Sequence, residues 1–229
     1  MPTSTHTGMR IGLVLFPRLT QLDLTAPYEV FARVPGATVE LVGAARGPVQ
    51  SEFGLTLHAT AARDEIDALD VVCVPGGPGI GALLADGAWL DWLARIGASA
   101  SWVTSVCTGA LVLGAAGLLD GYRATTHWLS LDLLPLCGAI PTAGRVVRDR
   151  NRITGGGVTA GLDFALTLAG LFVGDRAAQQ IQLLMEYQPE PPYPVGREHY
   201  PSEVAALRAE RAALQAERAR LVVAARQRR

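Results

Sequence analysis

Three short apolar runs decide what this chain can become: Arg10 to Phe16, Leu69 to Val74 and Trp102 to Val106. Each is too short for a buried helix, and the β-branched residues in them favour an extended backbone. None alternates strictly between apolar and polar, so each predicts a strand buried on both faces. Helical spacing fills the intervals, at Asp23 to Phe31 and again at Trp89 to Ile96. A further strand is expected at Ala37 to Gly43, and Val49 to His58 alternates around Gly54 as an antiparallel hairpin does. Buried strands alternating with helices predict an α/β fold, a mostly parallel sheet covered on both sides.

The later chain is more varied. Arg145 to Asp149 and Asn151 to Thr154 predict a short hairpin, followed by Gly155-Gly156-Gly157. Three glycines allow close backbone approach or a hinge, and equally a plain turn. Helices are expected at Thr159 to Val173 and Asp175 to Tyr187, then a proline-rich connector from Gln188 to Pro201. From Ser202 the sequence repeats by sevens, with Leu207, Leu214 and Leu221 at one heptad position and Glu203, Glu210 and Glu217 at another. Arg211 and Arg218 interrupt the second apolar position, so the helix is a weak coiled coil, expected to dock on the body or on a partner subunit. The expected organisation is an N-terminal extension over 1–8, one α/β domain over 9–190, and a connector with its C-terminal helix over 191–229.

Bulk properties narrow the function. Hydrophobic residues make up 49% of the 229 and charged residues 18%, which suits a packed globule and not a disordered chain. A net charge of -1 offers no general attraction for nucleic acid or an anionic membrane. No apolar run reaches the roughly 18 residues that span a bilayer. The polar start lacks a signal-peptide core, and three cysteines without metal-ligand spacing fit reduced thiols; a cytoplasmic location is expected. No metal or organic cofactor is expected.

Cys107 ends the third run, where Gly109 to Ala116 begins a helix of small residues. A cysteine on such a turn faces the amide groups of a helix N-terminus, which favour thiolate over thiol. The same pattern also fits a core cysteine. In parallel sheets, ligands bind beyond the carboxyl ends of the strands. Cys107, the Pro75-Gly76-Gly77-Pro78-Gly79 turn and the loop before Asp23 all fall there, which favours a reactive Cys107.

These residues, with Gln21 to Pro27, Ser105-Val106-Cys107-Thr108-Gly109 and Ala124-Thr125-Thr126-His127-Trp128, resemble the ThiJ/PfpI superfamily. The resemblance covers about residues 9 to 190. It implies a flavodoxin-like three-layer α/β/α sandwich shared with class I glutamine amidotransferases, here with an added C-terminal helix. Within the superfamily, Gly121 to Trp128 and Arg148 to Gly161 are most similar to the isocyanide hydratase branch. Peptidase-like members carry a histidine directly after the cysteine, where this chain has Thr108, so amide hydrolysis lacks its acid for the leaving amine. Other branches place a glutamate where this chain has Asp23.

The resemblance implies catalysis by Cys107 and Asp23. The cysteine attacks the terminal carbon of an isocyanide, R–N≡C, while Asp23 supplies a proton, giving a thioimidate that water converts to a formamide. An aspartate can serve so only if burial raises its pKa, and its alternative role is a helix cap. Backbone amides of Gly77 and Thr108 are expected to bind developing charge. His127, Gly156 and Val158 are expected around the pocket. The resemblance also implies a homodimer. Two other readings stand beside it: a cysteine redox sensor, and a small-molecule-sensing module related to amidase-like transcription regulators. The chain ends in a single helix where those regulators continue into a DNA-binding domain.

Overall fold

The computed structural model describes residues 8–194 and 196–228; most of the expected N-terminal extension therefore lies outside the described residues. The first half contains β1 (Met9–Val14), α1 (Gln21–Phe31), β2 (Ala37–Gly43), the hairpin β3 (Gly47–Gln50) and β4 (Thr56–Ala59), and the two-residue β5 (Ala61–Ala62). It continues through β6 (Val71–Val74), α2 (Ile80–Ala85), α3 (Gly87–Ser99), β7 (Trp102–Val106) and α4 (Gly109–Ala115). After β8 (Arg123–Ala124) a 3-10 stretch runs over Trp128–Cys137. Then come β9 (Ile140–Pro141), β10 (Val146–Asp149), β11 (Arg152–Gly155), α5 (Ala160–Val173), α6 (Asp175–Leu184) and α7 (Pro201–Gln227).

Seven strands form the main sheet in the order β10-β11-β7-β6-β1-β2-β5. All neighbours run parallel except the edge pair β10–β11. The hairpin expected at Arg145 to Thr154 is thus part of the central sheet. Within the sheet, β2-β1-β6-β7-β11 is the doubly wound order of a flavodoxin-like fold, which has its ligand crevice at the carboxyl edge. The register pairs Val74 with Ser105, and Val106 with Gly155, so β6, β7 and β11 end level. Loops carrying Gly76, Cys107 and Gly156 are delivered to one place by that alignment.

The apolar runs are buried as their composition requires: Val71, Val72, Cys73, Val74, Val103 and Val106 are all solvent-inaccessible. Helix α4 sits close over the sheet because its residues are small. A Cβ on Gly109 would collide with the backbone of Val74 and Pro75, and one on Gly114 with Cys137.

Helix α7 docks on the body against α2, α4 and the 3-10 stretch. Arginines carry much of this contact. Arg226 donates to the carbonyls of Gly114 (2.9 Å) and Cys137 (3.2 Å) and pairs with Asp120 at 2.8 Å. Arg228 donates to the Leu84 carbonyl at 3.1 Å. Buried Val222 and Ala225 add apolar contact to these polar ones, which explains docking by a helix with so narrow an apolar stripe.

Gly109→Ala should destabilise the fold by about 3 kcal/mol, the upper end for an overpacked site, because the obstructing atoms are backbone. Urea denaturation measures this directly; a loss under about 0.5 kcal/mol would contradict the close approach.

Candidate active site

Cys107 joins β7 to α4 with φ 55, a left-handed backbone that a side chain rarely adopts. Its amide donates to the carbonyls of Gly155 (3.1 Å) and Gly156 (2.8 Å), and its own carbonyl accepts from Thr126 Oγ1 at 2.7 Å. The glycine run thus braces the turn. Gly156 is held in its turn by Arg145, and Gly157 by Ala160, and none of the three adopts a positive φ. The sharp turn aims the Thr108 amide at the sulfur.

Asp23 lies in the first turn of α1 and is 0% exposed. The N-cap is Thr20, so Asp23 is not the cap that the sequence left open. Its Oδ2 instead accepts from the Gly76 amide at 2.9 Å, across to the loop after β6. Gly76 has no room for a side chain, since a Cβ would strike Thr108 and Asp23 Oδ2. The second oxygen, Oδ1, has no hydrogen-bond partner among the described residues. Burial pushes the Asp23 pKa up to about 7, opposed by the Gly76 amide and by the Cys107 side chain, while nearby Glu52 adds to the rise. Pro27, four residues on, has no N–H to give the Asp23 carbonyl.

The thiol behaves differently from the expectation of a lowered pKa. Burial raises the Cys107 pKa well above its ordinary value, and the negative charge of Asp23 raises it further. The Thr108 amide and Arg218 act in the opposite direction and are outweighed. The helix terminus does what was expected of it, but one amide cannot offset removal of the sulfur from water. At rest the pair is a thiol facing a carboxyl group that titrates near neutrality.

A cavity of about 300 Å³ opens over Cys107, lined among others by Thr20, Glu52, Gly77, Thr108, His127 and Val158. Gly156 holds the Cys107 backbone and does not line it. The expected charge-binding role of the Gly77 amide needs correction: that N–H already donates to Thr108 Oγ1 at 3.1 Å. Gly77 adopts φ 134 and packs against the Arg18–Thr20 backbone, which explains the glycine. His127 lies on the wall, its Nδ1 accepting from the Leu129 amide at 3.3 Å. Burial and the charges of Arg218, Arg197 and Arg211 lower its pKa, so the ring is neutral and keeps its proton on Nε2. Trp128 borders the cavity, whereas Trp89 and Trp92 pack edge-to-face on each other and Trp102 on Phe172. Cys73 and Cys137 are buried thiols whose pKa burial pushes up to about 12. No group of three or more metal-ligating side chains occurs among the described residues.

The sequence reading missed one wall. Leu207, Arg211, Leu214, Gln215 and Arg218 of α7 line the same cavity as Cys107. The arginines that interrupt the heptads lie on the same face as the leucines, because that face covers a polar pocket as well as a core. An arginine recurring within an apolar stripe was the available signal.

A DJ-1/PfpI family model matches residues 9–170, and the chain belongs to that family. It is 55% identical over 189 residues to an isonitrile hydratase of Pseudomonas putida, covering 82% of this chain and 83% of the relative. A crystal structure of a ThiJ/PfpI family protein from Pseudomonas syringae superposes with TM-score 0.90 at 41% identity, over 94% of this chain and 90% of that one. The HTH-type transcriptional regulator GbdR of Pseudomonas aeruginosa is 30% identical over 203 residues, 82% of this chain and 53% of the regulator.

The buried carboxyl has a thermodynamic consequence. Its folded pKa of about 7 exceeds the ordinary 3.8, so the stability linked to its protonated form is complete below about pH 4 and is lost as pH rises through 7. Asp23→Asn should flatten that slope and raise the unfolding midpoint at pH 8 relative to the natural protein. Thermal melts from pH 4 to pH 8 test this; parallel profiles for the two proteins would contradict it.

Proposed function

We propose that this protein adds water to an isocyanide, R–N≡C, to give an N-substituted formamide. The observation that carries the reading is a buried carboxyl of pKa about 7, with one oxygen unpartnered, set against a thiol. An isocyanide carbon must gain both a nucleophile and a proton, and this pair holds both. The family relative named for isonitrile hydration, similar over most of both chains, supports the same chemistry.

In the proposed sequence the Cys107 sulfur attacks the terminal carbon while its proton passes to Asp23. Asp23 Oδ1 delivers a proton to that carbon, giving R–N=CH–S–Cys107. The S–H bond and one C–N π bond are broken in this step, and C–S and C–H bonds form. Water then adds across C=N, with Asp23 as base, giving R–NH–CH(OH)–S–Cys107. The C–S bond breaks, the hydroxyl proton returns through Asp23 to sulfur, and R–NH–CHO departs. The Thr108 amide, which already faces the sulfur, favours its negative charge in both C–S steps. His127 has no hydrogen bond to Cys107 among the described residues, and neither step needs it. A redox role for Cys107 fits less well, since burial keeps the thiol protonated and thiolate is the form that oxidises.

A cytoplasmic homodimer belongs to the same reading. Three unpaired buried cysteines suit a reducing compartment. Leu183 and Leu184 at the end of α6 are about four-fifths exposed, an apolar surface suited to a second copy. Light scattering should give twice the chain mass, and Leu183→Asp should lower it; a monomeric natural protein would overturn this part.

Incubation with an aryl isocyanide should release the formamide, and Cys107→Ala should abolish release. Asp23→Asn should lower kcat at least about 100-fold, the scale of general acid–base help. Because Asp23 must begin as carboxylate to take the thiol proton, kcat/KM should rise with pH through about 7 in the natural protein. Formamide production by Cys107→Ala at the natural rate would overturn the proposal.

A further inference from the structure

We infer that Arg218, brought in by the C-terminal helix α7, is a positioning residue of the active site: its guanidinium anchors the Gly77 turn and shares the cavity of the Cys107 sulfur, stabilising the negative charge that sulfur carries in each C–S step. The inference rests on the hydration reading for the chemistry, though not for its geometry.

Arg218 is 7% exposed, an unusual place for a guanidinium. Its Nη1 donates to Ser130 Oγ and its Nη2 to the Gly77 carbonyl, both at 3.4 Å. Nε is buried without a partner among the described residues. No carboxylate lies within 4.0 Å of it among the described residues, so the charge is buried with neutral acceptors only. A buried charge with no directly bonded counter-charge is costly, and hydrogen bonds to neutral groups hold this one. Ser130, itself buried, donates to Gln215 Oε1 at 2.8 Å, one turn earlier on α7. That bond links the 3-10 stretch to the helix that carries the arginine.

Glu52 attracts Arg218 from longer range, and the reaction makes a second anion for it. Cys107 and Arg218 line the same cavity, and a charged Cys107 sulfur is the largest influence opposing the fall that burial causes in the guanidinium pKa. The other charged groups around the sulfur are Asp23 on α1, Glu52 just after β3, His127 before the 3-10 stretch, and Arg211 on α7. Asp23 disfavours a thiolate, His127 is neutral, and Arg211 pairs with Glu210 at 3.3 Å. Arg218 is therefore the cation that opposes Asp23 at the sulfur. Its bond to the Gly77 carbonyl also fixes the turn whose amide holds Thr108 Oγ1, and Thr108 supplies the amide at the sulfur.

The test reads the thiol without any isocyanide. The rate of Cys107 alkylation by iodoacetamide, followed against pH by peptide mass spectrometry, reports thiolate formation. Arg218→Gln should move that profile upward by about one pH unit, roughly a tenfold slower reaction at fixed pH. Arg218→Lys should recover much of the rate. Arg226→Gln, which loosens α7 at a point away from the sulfur, should alkylate like the natural protein, with melting temperatures checking that every variant folds. With an isocyanide substrate, Arg218→Gln should lower kcat about tenfold with little change in KM. A natural alkylation profile in Arg218→Gln, or an equal shift in Arg226→Gln, would overturn the inference. If no isocyanide turns over in the natural protein but the alkylation results hold, the hydration reading fails and the placement of Arg218 stands.

Discussion

The left-handed backbone of Cys107 is the constraint on which the rest of the site depends. An L-residue in that conformation costs about 1–2 kcal/mol, so surrounding contacts must hold it. The Gly155 and Gly156 carbonyls take its amide, Thr126 takes its carbonyl, and Gly109 lets the following helix press against the end of β6. These contacts come from β11, the segment after β8, and α4. Their convergence follows from the level carboxyl ends of three parallel strands. Without the turn, neither the Thr108 amide nor the Asp23 carboxyl would meet the sulfur.

That geometry places opposing influences on one thiol. The helix amide and Arg218 favour the thiolate, while burial and Asp23 favour the protonated form and prevail. For hydrolysis of an ordinary amide this balance would be unhelpful. For an isocyanide it is apt, because the carbon must receive a proton as well as sulfur. A thiol beside a carboxyl group of pKa about 7 stores that proton at the place of use. The same burial that makes Asp23 an effective acid also withdraws stability from the fold as pH rises.

Much of this was legible in the sequence, for physical reasons. The runs at Val71 to Val74 and Val103 to Val106 are buried on both faces, so composition alone identified them as central strands. The position of Cys107 between such a run and a small-residue helix placed it at the strand ends. What composition could not supply was the electrostatic sum: helix-terminus reasoning includes one amide and omits the desolvation that dominates. Gly77 was assigned a free amide because sequence does not show that Thr108 Oγ1 occupies it. Helix α7 docks on the body as expected, but its arginines have a role that the heptad pattern does not show. Arg211 and Arg218 counted as faults in an apolar stripe, whereas the stripe covers a cavity and its arginines belong to the wall.

The central claim is that carbon–sulfur bond formation at Cys107 is accompanied by protonation of the same carbon. Rapid acid quench of the protein with an aryl isocyanide, followed by intact-mass and peptide analysis, tests it directly. The account predicts an adduct equal to protein plus the whole isocyanide, located on Cys107, and one deuterium on the formyl carbon when turnover runs in heavy water. Formamide release with no adduct on Cys107, or with the adduct on another residue, would contradict it.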